Sequence, residues 1–263
     1  MTVVDEIRRI HKAMRSNRAQ HRNEMTPIKI LLYCPVWGRP KITRLHFDNV
    51  ERMISFDPAL YQIEPLYIVS EDWSKDMCIE FGFDWFQHEN LPMGRKLNAG
   101  LKPVINQPFD WLLTFGSDNF CEPSFLDEYL PYFETEQAFG LNLCYAIEES
   151  TGKQKEMMIG YAFGAMRCIR WDLVRQMDGQ LWPEMLNRGL DYYSMLNLKE
   201  ATGVDVQVVN TEAKLWDVKS KGNINKFGKD TNLVEVPAEE MPQEIQHLAQ
   251  VTVEAHEGTP VNP

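Results

Sequence analysis

The chain has 263 residues, 44% of them hydrophobic, with a formal net charge of −11 and a pI near 5.1, which is enough apolar content for one substantial core with appendages. The acidic balance excludes a general nucleic-acid coat, which needs a broad basic surface, but leaves room for a local basic groove that receives a phosphorylated ligand. No run of about 18 apolar residues is present to span a membrane, and the first ten residues lack the apolar core of a signal peptide.

Residues 4–22 have helical periodicity: Val4, Ile7, Ile10 and Met14 recur among Arg8, Arg9, Lys12, Arg15, Arg18 and Arg22. This predicts a basic helix over residues 1–25, outside the main fold and able to pack on it or on an acidic partner. Residues 28–34 are a continuous apolar strand of the kind buried within a parallel sheet. The loop Pro35-Val-Trp-Gly-Arg-Pro40 follows, then a helix over 41–54, a second strand over 65–70 ending in Glu71 and Asp72, and a helix over 73–81. A short strand at 83–86 leads to the loop and helix of residues 92–102.

Next comes Phe109-Asp-Trp-Leu-Leu-Thr-Phe-Gly-Ser-Asp-Asn-Phe-Cys-Glu-Pro123, an apolar strand that opens into a polar cluster. Open α/β sheets bind ligands outside the carboxyl ends of their strands, so Asp118 is expected to project into a cleft. A carboxylate beside an amide oxygen suits a hard cation such as Mg or Mn. The same Gly-Ser-Asp-Asn run also reads as a plain turn. A helix over 124–133, a strand over 138–147 and a polar, mobile loop over 148–156 come after it. Helices over 171–177 and 190–201, a strand over 204–209 and an acidic, partly disordered tail over 231–263 complete the chain, with a short helix at 239–250. Strands alternating with helices imply βαβ units and a mostly parallel sheet. Cys34, Cys78, Cys121, Cys144 and Cys168 are scattered without a CxxC pair. They read as small buried hydrophobes in a reducing compartment, and the protein as cytoplasmic.

Four features converge if the sheet is so ordered. The loop at 35–40 offers Pro35, Trp37 and Arg39 to a nucleotide; its bland reading is a rigid turn with a solvated Arg. Glu71 can accept from a base or ribose, or can serve as a favourable acid at a helix N-terminus. In Met93-Gly-Arg-Lys-Leu-Asn-Ala-Gly100, Arg95 and Lys96 can pair with phosphate and Asn98 can donate to a ligand. That segment matches neither the Walker pattern nor GxGxxG. Asp191 opens a helix, as an N-cap or as a base.

In this order, these segments resemble nucleotide-sugar glycosyltransferases of the GT-A fold, family-2-like, with the DxD motif reduced to Ser117-Asp118-Asn119. The resemblance spans roughly residues 27–229. It implies an α/β fold with a GT-A-like, Rossmann-type mixed, mostly parallel sheet flanked by helices over residues 26–230. It also implies a nucleotide-diphosphate sugar donor, a divalent metal (Mn or Mg) on Asp118 with Asp217, and Asp191 as the base. Ser117 and Asn119 join the donor site, as do Lys219, Lys221 and Asn223 in the segment Lys214–Lys226, whose lysines and Gly222 suit a diphosphate. Among the aromatics, Trp37, Trp73, Tyr161, Trp182, Tyr192 and Tyr193 are stacking candidates or packing residues. The acceptor is open; the basic N-terminal helix permits a DNA base, as in phage DNA-modifying enzymes, and a glycan is equally compatible. Two alternatives remain: an inactive GT-A-like nucleotide-binding or scaffold protein, and a metal-dependent nucleotidyltransferase.

Overall fold

The apolar run at 28–34 forms β1 (Ile28–Pro35), buried from Ile30 to Cys34 on both faces, as expected at the centre of a sheet. The structure is a computed structural model that describes residues 26–220, 227–228 and 231–249; the basic segment 1–25, Lys221 and Asn223 lie outside the described residues. β2 (Tyr61–Val69) and β4 (Trp111–Thr114) flank β1 in parallel, and β3 (Asp84–Gln87) extends the sheet parallel to β2. Their connections carry α1 (Pro40–Phe56), α2 (Asp72–Phe81) and α3 (Met93–Leu101). Beyond β4 the sheet continues through β9 (Arg167–Arg170), antiparallel to β4, then β6 (Ala138–Gly140) and β10 (Gln207–Val208). The seven strands run in the order β10-β6-β9-β4-β1-β2-β3.

Side-chain alternation along the central strands divides the core in two. Ile30, Leu32 and Cys34 with Tyr67, Val69 and Leu113 face one layer, made by α1, α2 and α4 (Phe125–Thr135). Leu31 and Tyr33 with Leu66, Ile68 and Leu112 face the other, made by α3, α5 (Trp171–Gln176) and α6 (Leu190–Thr202). All five cysteines are buried thiols, as expected. Among the described residues, no helix is long and apolar enough to cross a membrane.

A second, smaller sheet departs from the sequence reading. It contains β5 (Asn119–Phe120), β7 (Leu143–Glu148), β8 (Gln154–Met158), β11 (Trp216–Lys219) and β12 (Leu233–Val234), in the order β12-β8-β7-β11-β5. The single strand expected at 138–147 is therefore two: β6 stays in the large sheet while β7 turns into the small one. The stretch 148–156, expected as a mobile loop, is instead the tight end of the β7–β8 hairpin, closed by Gly152 N donating to Glu148 O at 2.8 Å. The strand expected at 204–209 contracts to the two residues of β10. Residues 231–249 of the expected tail are built into the fold. β12 pairs with β8, and Met241, Ile245 and Leu248 share a buried cluster with Ile42, Phe120, Trp216 and Val218.

Candidate functional site

The parallel pairing of β2, β1 and β4 sets their carboxyl ends side by side, the place where ligand sites of open sheets form. After β4 the chain reverses tightly: Asn119 N donates to Gly116 O at 2.9 Å, and Gly116 N donates to Asn119 Oδ1 at 2.8 Å. The turn reading and the strand-end reading of this segment are thus both realised, and the turn presents Asp118. Asn119 itself is buried and its side-chain oxygen is occupied by Gly116. Its carbonyl accepts from Nδ1 of His46, a buried residue of α1, at 2.9 Å. Because a carbonyl only accepts, the proton sits on Nδ1, and burial pushes this imidazole down to about 4, so it is neutral.

Asp118 Oδ2 accepts from Arg39 Nη1 at 2.5 Å, and Arg39 Nη2 lies 3.4 Å from Ser117 Oγ. β5 pairs antiparallel with β11, which places Asp217 opposite Asn119, and Val218 N donates to Asp118 O at 2.8 Å. Lys219, two residues on and on the same face of β11, forms an ion pair with Asp217. Burial first, and the negative charge of Asp118 second, push the Asp217 carboxyl above its ordinary value, against the opposing pull of Lys219 and Arg39. Two carboxylates and two cations therefore share one half-buried cluster. Among the described residues Asp217 Oδ1 is buried with no hydrogen-bond partner, an oxygen that a cation would satisfy. Among the described residues, no group of three His, Cys, Asp or Glu side chains is placed to hold a metal ion. Asp118 and Asp217 thus fit a divalent ion only as a pair, with the remaining oxygens coming from a ligand.

Asp191 stands in the first turn of α6. A Cβ on Gly164 would fall 2.2 Å from Asp191 Oδ1, so the carboxylate lies against bare backbone that only glycine permits. Gly164 O accepts from the hydroxyl of Thr114, the last residue of β4. Arg167, opposite Thr114 across the β4–β9 pair, is almost fully buried. It donates to Ser194 Oγ at 2.7 Å, Ala162 O at 2.6 Å and Phe163 O at 3.0 Å, and Ser194 donates to Asp191 O at 3.1 Å. Through Gly164 and Thr114, Asp191 is therefore tied to the carboxyl end of β4, the strand that leads into Asp118.

The loop after β1 is pinned at two points. Lys96, with no exposed surface, donates to Val36 O at 2.8 Å and to Asn90 Oδ1 at 3.1 Å; burial pushes its ammonium down to about 8. Glu71 Oε2 accepts from Gly38 N at 2.7 Å. Gly38 and Arg39 both adopt left-handed backbone, with φ of 61° and 55°, which turns Arg39 back towards Asp118. Pro35 ends β1 opposite Ile68, and Trp37 between the two pins is 44% exposed. Glu71 and Lys96, expected to touch ligand, hold this loop.

The Gly94-to-Gly100 motif is explained by packing. Met93, Gly94 and Arg95 donate their backbone N–H groups to Asn187 Oδ1, Leu186 O and Glu184 O at 2.8–3.0 Å. The first three backbone N–H groups of α3 are thus taken up by the chain's own 184–187 segment. A Cβ on Gly94 would fall 2.0 Å from Pro183 O. Asn98 is buried and exchanges two bonds with Trp182, donating to its O at 2.7 Å and accepting from its N at 3.0 Å. Arg95 is exposed and its guanidinium meets Met185 Sδ at 3.4 Å. Among the aromatics, Trp182 is buried and stacked on Tyr33, and Trp73 packs on the core. Tyr161, Tyr192 and Tyr193 form a chain of ring contacts at 5.3 and 5.5 Å beside Asp191, with Tyr192 and Tyr193 exposed. Sequence reasoning passed over His46 and Arg167, whose roles depend on contacts distant in the chain.

No protein-family model matches the sequence, and no curated protein matches it. Among solved structures, residues 1–349 of S. aureus TarS superpose with a TM-score of 0.51 at 12% identity, over 73% of this chain and 60% of that one. The same TarS fragment in complex with UDP-GlcNAc gives 0.50 at 13% identity, over 88% of this chain and 69% of that one. This chain thus spans between three-fifths and seven-tenths of the TarS fragment. At such identity the likeness is one of fold, and the fold is a GT-A-like, Rossmann-type mixed α/β sheet flanked by helices.

Proposed function

We propose that the chain is a glycosyltransferase that moves a sugar from a nucleotide-diphosphate donor to an acceptor hydroxyl. The observation that carries this reading is the meeting of Arg39–Asp118 with Asp217–Lys219 after the carboxyl end of β4, where Asp191 lies against Gly164, the residue bonded to Thr114. A diphosphate needs cations around it, and this cluster holds two beside two carboxylates. Asp118 and Asp217 are the residues that would hold Mg or Mn, and a bound ion would supply Lewis-acid stabilisation to the diphosphate oxygens.

The chain's own residues divide the remaining work. Arg39 and Lys219 exchange their carboxylate partners for phosphate oxygens and stabilise the negative charge that develops as the sugar–phosphate bond breaks. Lys221 and Asn223 belong to the same donor subsite in this reading. Trp37, fixed by Lys96 and Glu71, offers its ring to the base. Asp191 accepts the proton of the acceptor hydroxyl as that oxygen attacks the sugar carbon. Arg167 acts through Ser194 to hold the start of α6, and so the Asp191 backbone, in place.

The test is thermal denaturation with UDP, GDP, ADP and their sugars, with and without Mn. TarS, of similar fold, was solved with UDP-GlcNAc, so uridine diphosphate sugars come first. A ligand at a hundred times its dissociation constant stabilises by about 2.7 kcal/mol, a shift of a few degrees for a domain of this size. The Asp118→Ala chain should lose that shift. Absence of any shift with every nucleotide would overturn the reading, and an unchanged shift in Asp118→Ala would remove Asp118 from the site.

A further inference from the structure

Arg39 is held against Asp118 by its own backbone. It stands in the left-handed region at φ 55°, directly before Pro40 and the start of α1, a conformation disfavoured for any residue with a side chain. Three contacts keep it there: Gly38 N donates to Glu71 at 2.7 Å, Lys96 donates to Val36 O at 2.8 Å, and Thr43 N donates to Arg39 O at 3.0 Å. Backbone strain persists only where the surroundings enforce it. Here its result is a guanidinium set on Asp118 Oδ2 at 2.5 Å. Lys219 is placed as firmly, because β11 pairs with β5 and β7 and its period of two puts Lys219 beside Asp217.

These are not loose surface pairs. The side chains of Arg39 and Asp118 are each 17% exposed, and those of Lys219 and Asp217 are 7% and 16% exposed, so water screens both attractions poorly. Each carboxylate suited to a divalent ion therefore carries one of the chain's own cations on one oxygen, and these four charges cancel. To hold an ion as a pair, Asp118 and Asp217 have to shed these partners. That leaves a guanidinium and an ammonium largely buried without a counter-ion, which is costly. A diphosphate removes the obstacle, because its oxygens accept from both cations and free both carboxylates together.

We propose that Arg39 and Lys219 are built-in counter-ions that keep Asp118 and Asp217 closed to a divalent ion until a diphosphate draws them away. The proposal rests on the glycosyltransferase reading for its diphosphate and adds a rule of assembly to it. The chain alone takes metal weakly, and metal and nucleoside diphosphate tighten each other's binding by the same factor. Two cations call for two phosphate groups, so a nucleoside monophosphate frees the carboxylates only in part.

The test is Mn binding to the full chain without nucleotide, read from the EPR signal of free Mn. Arg39→Gln and Lys219→Gln should each bind Mn about tenfold more tightly than the parent. Arg39→Lys, which keeps the charge, should bind like the parent, and Asp118→Asn added to Arg39→Gln should abolish the gain. Calorimetry with UDP in the absence of metal should move the other way, with weaker binding in both Gln variants. Mere loosening of the loop would weaken both ligands alike. With UDP present, Mn binding by the parent should rise about tenfold above that of Asp118→Asn, which accounts for metal held by the nucleotide itself, and UMP should give a smaller rise. Equal Mn affinity in the parent and both Gln variants would overturn the proposal, as would a gain that survives Asp118→Asn. A gain in Mn affinity with no UDP binding by any of the chains would overturn the diphosphate as the releasing group, and the glycosyltransferase reading with it.

Discussion

His46 is neutral in the folded protein for a geometric reason: Nδ1–H is committed to the Asn119 carbonyl, and Nε2 is buried without a partner among the described residues. Its pKa is depressed from 6.5 to about 4. A base depressed by folding contributes stability that is fully present above the unfolded value and is lost as pH falls through the folded one. The contribution spans about 3 kcal/mol, from the fall of the imidazole from its ordinary value to about 4. His46→Gln keeps a donor for Asn119 but cannot titrate. Urea denaturation should show a constant stability difference between the two proteins above pH ~6.5, shrinking as pH falls to ~4. A difference that stays flat over that window would mean that His46 is not the buried neutral imidazole described. At this scale little was visible in the sequence. Asp118 could be singled out because it ends an apolar run, but its partner Arg39 lies 79 positions away, and no local pattern announces such a pair.

Elements show the opposite balance. β1, α1, α2 and α6 follow directly from apolar period and punctuation, because each is long enough for burial on one or two faces to impose its rhythm. β11 was missed for an instructive reason. The eye is drawn to the lysines of 214–226, yet Trp216-Asp-Val-Lys219 alternates apolar and polar with period two, and Trp216 and Val218 are indeed buried while Asp217 and Lys219 share the other face. The strand at 138–147 was misjudged because Gly140-Leu-Asn142, where the chain leaves one sheet for the other, was read through as part of a single strand. The α3 motif was read for its fitness to meet a phosphate, whereas its first glycine meets the chain's own backbone. Gly94→Ala forces a Cβ to within 2.0 Å of Pro183 O, an atom that cannot move without displacing the 183–187 segment that caps α3. We expect a loss of about 1–3 kcal/mol, the range for overpacking. Gly160→Ala, with nothing within 4 Å, is the control, expected within about 0.5 kcal/mol of the parent. Equal stabilities of the two variants in urea would show that α3 does not depend on this approach.

For the whole molecule, the acidic composition after residue 230 suggested a tail, but the apolar residues within it decide its fate. Met241, Ile245 and Leu248 recur three or four apart and cover Phe120, Trp216 and Val218, and Glu244 between them anchors to Arg52 and Asn49 of α1. The far end of the described chain thus closes over the back of β5 and β11, whose opposite sides present Asp118, Asp217 and Lys219. Such packing couples a segment distant in sequence to the geometry of the candidate site. Ile245→Ala removes a fully buried side chain from the centre of that cluster, for which the expected cost is about 2–5 kcal/mol, depending on how far the cavity collapses. Its distinctive effect is local: amide exchange should quicken across 216–219 while β1 and β2, in the large sheet, keep their protection. A uniform rise in exchange would mean that the cluster supports the fold as a whole. No rise at 216–219 would show that the tail lies on the sheet without holding the strand that carries Asp217 and Lys219.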